Sequence, residues 1–304
     1  IQIMGSGVII SADGLMVTNN HVVEKSLDNI KCMLSNGVVA TGKVLGRDKD
    51  TDLALIKLET PSLKVFPYAE FGPSDKLEEG HFCIAMGAPW GLNRSVSLGI
   101  ISCPRRYLPG YSEYSLWIQT DASICPGNSG GPLVDMTGKV IGITALSTLI
   151  GGDTAFAVPS ETVKGVIEKI LKDGEVRWSW NGLRLQALRD FTKEIFFEGE
   201  KGVIIGSVDE GSPAQTAGFK SGDLLLSIDG IKIKGIYEED LPAINRMLGE
   251  LSPEKPITAV VSRNGQMISL LLTPRLKGKV EGEDFDCRRW NMTIKVINQF
   301  NDPT

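Results

Sequence analysis

The 304-residue sequence predicts a mainly β chain in two domains, and three observations carry that expectation. Short apolar or alternating runs, each bounded by Gly, Pro, Asn, Asp or Ser, recur through residues 1–175 at the spacing of an all-β sandwich or barrel. From about Trp178 to Arg275 further such runs alternate with two helical patterns, which marks a second, α+β unit. The composition, 42% apolar and 23% charged, is that of a chain able to bury real cores.

The β runs of the first unit are, in order, "SGVIIS", "LMVTNN", "IKCML", "VVATGKVLG", "TDLALIKL", "HFCIAMG", "SVSLGIIS", "LWIQTD", "GKVIGITAL" and "TAFAVP". One helix is predicted there, "SETVKGVIEKILKDG". It starts at Ser160 and Glu161, has apolar positions at Val163, Val166, Ile167 and Ile170, and stops at Gly174. Gly174 to Trp178 reads as a linker. The second unit, 178–275, carries the strands "GLRLQAL", "GVIIGSV", "DLLLSIDG", "ITAVVSR" and "MISLLLTP". A short helix is expected at "GSPAQTAG" and a longer one at "EEDLPAINRMLGEL", where Pro242 suits a first helical turn. Residues 276–304 begin as a charged linker, "KGKVEGEDFDCRRW", and "NMTIKVINQF" within 288–304 reads as the start of a further unit.

Bulk properties exclude several function classes. A net charge of −5 gives no electrostatic reason to expect nucleic acid, and no basic run points to an anionic membrane. No stretch approaches the roughly 20 apolar residues of a transmembrane helix. The five cysteines (Cys32, Cys83, Cys103, Cys125, Cys287) are scattered and never in C-x-x-C spacing. That argues against a metal site and a dense disulfide framework, and leaves one or two bridges open. No signal-peptide pattern is read, so the compartment is not legible from the residues.

"CPGNSGGPL", Cys125 to Leu133, places Ser129 among turn-forming residues. Such a serine ordinarily bonds to nearby backbone or water. As a nucleophile it would need a base, because a neutral hydroxyl attacks poorly near pH 7. The chain has two histidines, and His21 stands in "VTNNHVV", at the end of one of the β runs. Taken alone, His21 could equally be a surface or core residue. A carboxylate must hold the imidazole tautomer, and Asp52 heads the apolar strand "DTDLALIKL", with Asp48 and Asp50 nearby. The order His21, Asp52, Ser129 is the order used by chymotrypsin-like β-barrels.

At these motifs the chain resembles the HtrA/Deg serine proteases: "TNNHVV", "DTDLALIKL" and "QTDASICPGNSGGPLVD" are similar to the family's three catalytic segments. "GSGVIISADG" and "TAFAVPS" match flanking segments, and 178–275 resembles a PDZ domain through "WNGL" and "GSPAQTAGFKSGDLLLSIDG". The resemblance spans about residues 3–275. It implies a chymotrypsin-like double β-barrel followed by an α+β PDZ domain, with His21, Asp52 and Ser129 catalytic. An oxyanion hole is expected from the backbone N–H groups of Gly127, Asn128 and Ser129, each donor contributing roughly 10²–10³ in rate.

Three departures from the family pattern stand out. The sequence starts almost at "GSGVII", so the preceding segment and part of the first barrel strand are expected to be missing, which leaves open the assembly that the family builds through that region. Cys125 replaces the asparagine usual four residues before the nucleophile, and a packing role is expected for it. "LIGGDTAFAVPS" is shorter before its phenylalanine than in many relatives. The loop "CPRRYLPGYSEYS", Cys103 to Ser115, is too irregular for a strand and is read either as an activation switch or as an ordered surface loop.

The specificity pocket is expected to have Ser123 at its floor, with Ile124, Phe156, Ala157 and Val158 around it. Ser123 carries no charge, so small or medium apolar residues are preferred. An apolar pocket separates neighbouring side chains by only about 1–3 kcal/mol, so selectivity is loose and suits unfolded polypeptides. In the second unit the "WNGL" loop, Trp180 to Leu183, is expected to bind a C-terminal carboxylate through the N–H groups of Asn181, Gly182 and Leu183. Leu183, Leu185, Ile244 and Leu248 are expected to line the pocket for the terminal side chain. The leading expectation is an ATP-independent endopeptidase of protein quality control, needing no cofactor. The alternatives are a catalytically silent chaperone or scaffold and, more weakly, an ester hydrolase, since the motif is not a G-x-S-x-G elbow. The resemblance implies a homo-oligomer, trimeric or larger, and a periplasmic, secreted or organellar location.

Overall fold

The computed structural model describes residues 4–25, 28–89, 94–148, 154–190, 195–197, 199–277, 284–287 and 292–295. The chain separates into two compact units, 1–176 and 177–304.

In the first unit, β1 (Val8–Ile9), β2 (Leu15–Thr18), β3 (Ile30–Met33), β4 (Val39–Asp48) and β5 (Leu53–Glu59) form an antiparallel sheet in the order β1-β2-β5-β4-β3. A one-turn helix, α1 (Asn20–Val23), follows β2. Six more strands close into a barrel: β6 (Phe82–Gly87), β7 (Ser95–Arg106), β8 (Trp117–Thr120), β9 (Pro132–Asp135), β10 (Val140–Thr148) and β11 (Thr154–Pro159), with β9 pairing both β6 and β10. Strand β5 shows why its sequence is apolar without a break from Leu53 to Ile56. Successive side chains point to opposite faces. Ala54, Ile56 and Leu58 pack into the core of the first sheet, while Leu53 and Leu55 enter a second core shared with the barrel strands. Helix α2 (Ser160–Asp173) seals that shared core with Val163, Val166 and Ile170, and ends where Gly174 adopts φ +76° and donates its N–H to Ile170 O at 2.8 Å.

The second unit contains β12 (Ser179–Trp180), β13 (Leu183–Gln186), β14 (Arg189–Asp190), β15 (Ile195–Phe196), β16 (Val203–Val208), β17 (Leu224–Ile228), β18 (Ile231–Lys232), β19 (Ile257–Arg263), β20 (Gln266–Leu272) and β21 (Arg275–Leu276). Its main sheet runs β13-β16-β17-β19-β20, which leaves β13 as an edge strand. Helix α3 (Pro213–Ala217) is capped by Ser212, whose Oγ accepts the Gln215 N–H at 3.0 Å. Helix α4 (Leu241–Gly249) follows a 3-10 turn at Glu238–Asp240, with Pro242 in its first turn. Val203, Ile205, Leu225, Ala259, Val261 and Leu272 form the centre of its own core. Beyond it, β22 (Asp284–Cys287) pairs antiparallel with β23 (Met292–Lys295).

Two expectations change. Strand β7 runs on to Arg106, so Cys103–Arg106 is strand, not loop; register shifts between Ile101 and Arg106 let the ladder pass Pro104. The remainder of that loop is held by Leu108 N–H to Ser112 Oγ (2.9 Å) and by the Ser115 and Thr162 hydroxyls (2.8 Å). Asp284–Cys287, read as linker, is a strand. The segment 149–153, whose length departs from the family pattern, lies outside the described residues.

Candidate active site

His21 sits on α1 directly after β2, and Asp52 stands in the turn before β5, the strand paired with β2. Adjacent strands therefore bring the two residues together. The Asp52 carboxylate serves His21 twice: Oδ1 accepts the His21 backbone N–H at 3.0 Å and Oδ2 lies 2.7 Å from His21 Nδ1. The Asp52 carbonyl accepts from Asn20 N–H (3.1 Å) and from Asn19 Nδ2 (2.9 Å). With its own N–H donating to Lys49 O at 3.3 Å, five hydrogen bonds thus hold Asp52 at φ +54°, a left-handed conformation that non-glycine residues seldom adopt and that clusters at functional sites. Asp48 holds the turn instead, its Oδ2 accepting the Thr51 hydroxyl at 2.7 Å. The hydrogen bond to Asp52 raises the His21 pKa above the usual 6.5, against the opposing effect of burial.

Ser129 follows β8 in the loop that leads into β9. Its hydroxyl donates to Ala145 O at 3.3 Å. Gly130 lies against the His21 segment: at φ +86° a Cβ there would strike Thr18 Oγ1 and Ser6 O and come within 3.1 Å of Asn19 N. The loop is fastened from below by the buried Thr144, whose hydroxyl donates to Asn128 O at 2.8 Å.

The backbone of this loop narrows the oxyanion donors. The Asn128 N–H is turned inward and donates to Cys125 O at 2.9 Å, so it is not available to a substrate. Among the described residues no internal hydrogen bond engages the N–H of Gly127 or of Ser129. Gly127, at φ +105°, has its carbonyl drawn away by the Ser6 hydroxyl at 2.7 Å. Ser6 was not legible as a site residue, yet its Oγ also accepts Ala88 N–H (3.0 Å) and its N–H donates to Ser129 O (2.8 Å). The one sequence signal is its place in "GSGVII".

The expected pocket residues are not brought round one cavity. Ser123 is exposed, and its carbonyl accepts the Ser97 hydroxyl at 2.7 Å. Ile124 and Ala157 pack into the barrel interior, whereas Phe156 and Val158, on the opposite face of β11, belong to the shared core. The strand's period of two divides the set.

In the second unit the buried Trp180 and Asn181 lead into Gly182 at φ +81°, where a Cβ would collide with the Ser212 side chain. Ile244 and Leu248 are buried, and Leu183 and Leu185 pack against the same cluster. The Leu183 N–H is already occupied: it donates to Asn181 Oδ1 at 2.8 Å.

The trypsin-like peptidase domain family matches residues 5–143, and the PDZ domain family matches residues 182–273. A solved structure of the HtrA-type protease AlgW with a tripeptide superposes with a TM-score of 0.78 at 34% identity, over 90% of this chain and 89% of that one. The chain belongs to the HtrA family of serine proteases. Another AlgW structure, with a decapeptide, gives a TM-score of 0.76 at 33% identity over 90% of this HtrA chain and 83% of AlgW. A probable periplasmic serine endoprotease DegP-like of Marinomonas sp. (strain MWYL1) is 38% identical over 278 residues, 90% of this chain and 57% of the relative. The corresponding DegP-like protein of Chlamydia muridarum is 37% identical over 301 residues, 97% of this chain and 58% of the relative. This HtrA chain thus spans little more than half the length of those curated relatives.

Proposed function

We propose that this chain is an ATP-independent serine endopeptidase that cuts unfolded polypeptides. The observation that carries the proposal is His21, held at its ring by Asp52 Oδ2 and at its backbone N–H by Asp52 Oδ1, beside a loop with the uncommitted N–H groups of Gly127 and Ser129. For catalysis the Ser129 hydroxyl turns from Ala145 O to the free ring nitrogen of His21, gives up its proton and attacks the scissile carbonyl. Contacts of this kind are often loose before substrate arrives. Asp52 stabilises the imidazolium, and the two N–H groups receive the oxyanion. His21 then passes the proton to the leaving amine, and water repeats the sequence on the acyl-enzyme.

A fluorophosphonate probe and an unfolded casein substrate test this. The wild type should label at Ser129 and cut casein, and Ser129→Ala should do neither while keeping its fold. Substantial proteolysis by Ser129→Ala would overturn the assignment. A catalytically silent peptide-binding scaffold is the second reading, favoured by the Ser129 hydroxyl resting on Ala145 O; absence of labelling in every condition would select it.

The PDZ unit is proposed to take extended C-terminal tails on the free edge of β13, where main-chain hydrogen bonds add a strand. That the related protease AlgW has been solved with a decapeptide and with a tripeptide supports peptide binding in general. A periplasmic location is proposed from the names of the relatives; among the described residues no helix is long and apolar enough to cross a membrane. A homo-oligomer, trimeric or larger, is proposed from the family resemblance, and self-association is supported by the exposed apolar side chains of the β6–β7 hairpin. There the register pairs Ile84 with Leu98 and Met86 with Val96, and Phe82, Val96 and Leu98 are all more than half exposed.

A further inference from the structure

The carboxylate loop of the PDZ unit contains its own competitor for the ligand. Asn181 O accepts the Ala214 N–H at 2.9 Å, and Gly182 O accepts the Asp209 N–H at 2.8 Å. In a trans peptide the next N–H points opposite to the carbonyl. The two anchored carbonyls therefore turn the N–H groups of Gly182 and Leu183 to the other side, away from Ala214 and Asp209. Among the described residues no hydrogen bond engages Asn181 N–H or Gly182 N–H. The third donor, Leu183 N–H, is capped by Asn181 Oδ1 at 2.8 Å, and Asn181 is 8% exposed. An amide oxygen thus occupies the position a ligand oxygen would take on this donor. The assignment of oxygen rather than nitrogen follows from the chemistry, because an N–H donor needs an acceptor.

We propose that Asn181 is a specificity-determining cap: a C-terminal tail engages Leu183 N–H only by displacing Asn181 Oδ1. This rests on the reading that the second unit takes C-terminal tails. A terminal carboxylate can displace the cap because its charged oxygen makes the stronger hydrogen bond. A ligand that does not use the Leu183 donor leaves the cap in place and is indifferent to it. The cap therefore lowers affinity for free tails alone, and its removal raises it.

The test uses the full chain carrying Ser129→Ala, so that peptides are not cut, with a fluorescent peptide ending in Val and its C-terminally amidated twin. Asn181→Ala should tighten the free peptide roughly three- to tenfold, the worth of one competing neutral hydrogen bond, and leave the amidated twin unchanged. Asn181→Asp keeps the shape and supplies a charged cap, so it should weaken the free peptide by at least the same factor. Thermal unfolding of each variant reports whether the fold is kept, and the isosteric Asp variant decides the matter if the Ala variant does not fold. Unchanged affinity in both variants, or equal tightening of the two peptides, overturns the cap while tail binding stands. Failure of every protein to bind either peptide overturns tail binding itself, and the cap with it.

Discussion

Asp52 gives one carboxylate oxygen to the backbone of His21 and the other to its ring, so one side chain fixes both the turn and the imidazole. Asp52→Asn keeps the shape but presents an N–H donor to one of these partners, and the wrong tautomer follows. Casein turnover should fall by about 10⁴, whereas Asp50→Asn should change it little. A general base works unprotonated, and Asp52 raises the His21 pKa above 6.5, so activity should rise with pH through a limb above that value. In Asp52→Asn the residual limb should move down, which a pH–rate profile reads directly. Stability follows the opposite sign. A raised folded-state pKa contributes fully below the unfolded value and is lost as pH rises through the folded one. Asp52→Asn should therefore lower Tm more at about pH 5.5 than at about pH 9. Ser6 acts through the loop and does not touch the reacting atoms. Ser6→Ala frees Gly127 O and Ala88 N–H, and should lower kcat roughly tenfold with KM little changed. An unaltered kcat would show that the oxyanion loop holds its shape without the clamp.

At the scale of elements, the nucleophile loop depends on how closely it approaches β2. Gly130 holds a left-handed φ with Thr18 and Ser6 where a side chain would be, so Gly130→Ala meets strain and collision together. It should reduce both Tm and Ser129 labelling, and a variant with full labelling would mean that the loop can withdraw from β2. Much of this architecture was legible in the sequence. The spacing of Val163, Val166 and Ile170 placed α2, Gly174 stopped it, and the run from Leu53 to Leu58 placed β5. The loop around Ser129 was recognisable only together with His21 and Asp52 in order on a β-rich chain and with the resemblance of "QTDASICPGNSGGPLVD" to a catalytic segment, because its turn residues alone fit an ordinary loop. The pocket was not legible, because alternation along β11 does not say which face meets the barrel interior and which the shared core. Pro104 hid the end of β7, since a proline inside a ladder is tolerated only where the register shifts, and the shift depends on β8. The inward Asn128 N–H and the Asn181 cap are backbone geometries within tight loops, to which hydropathy and spacing are blind.

For the whole molecule, the buried clusters respect the division into two units. Every residue of the three clusters in the first unit lies between Val8 and Ile170, and every residue of the second unit's cluster lies between Ala187 and Leu272. Each unit thus has a buried core of its own, the condition under which domains unfold as separate cooperative units. Two calorimetric transitions are therefore expected, and core substitutions assign them. Leu225 and Leu55 are both fully buried. Truncation of either to alanine should cost about 2–5 kcal/mol. Leu225→Ala should lower only the transition of the second unit and leave Ser129 labelling at moderate temperature unchanged. Leu55→Ala should lower only the other transition and weaken labelling as well, because β5 begins at the turn that carries Asp52. If each substitution shifted both transitions together, the two cores would have to be coupled, and recruitment by the PDZ unit could not be separated from the stability of the catalytic one.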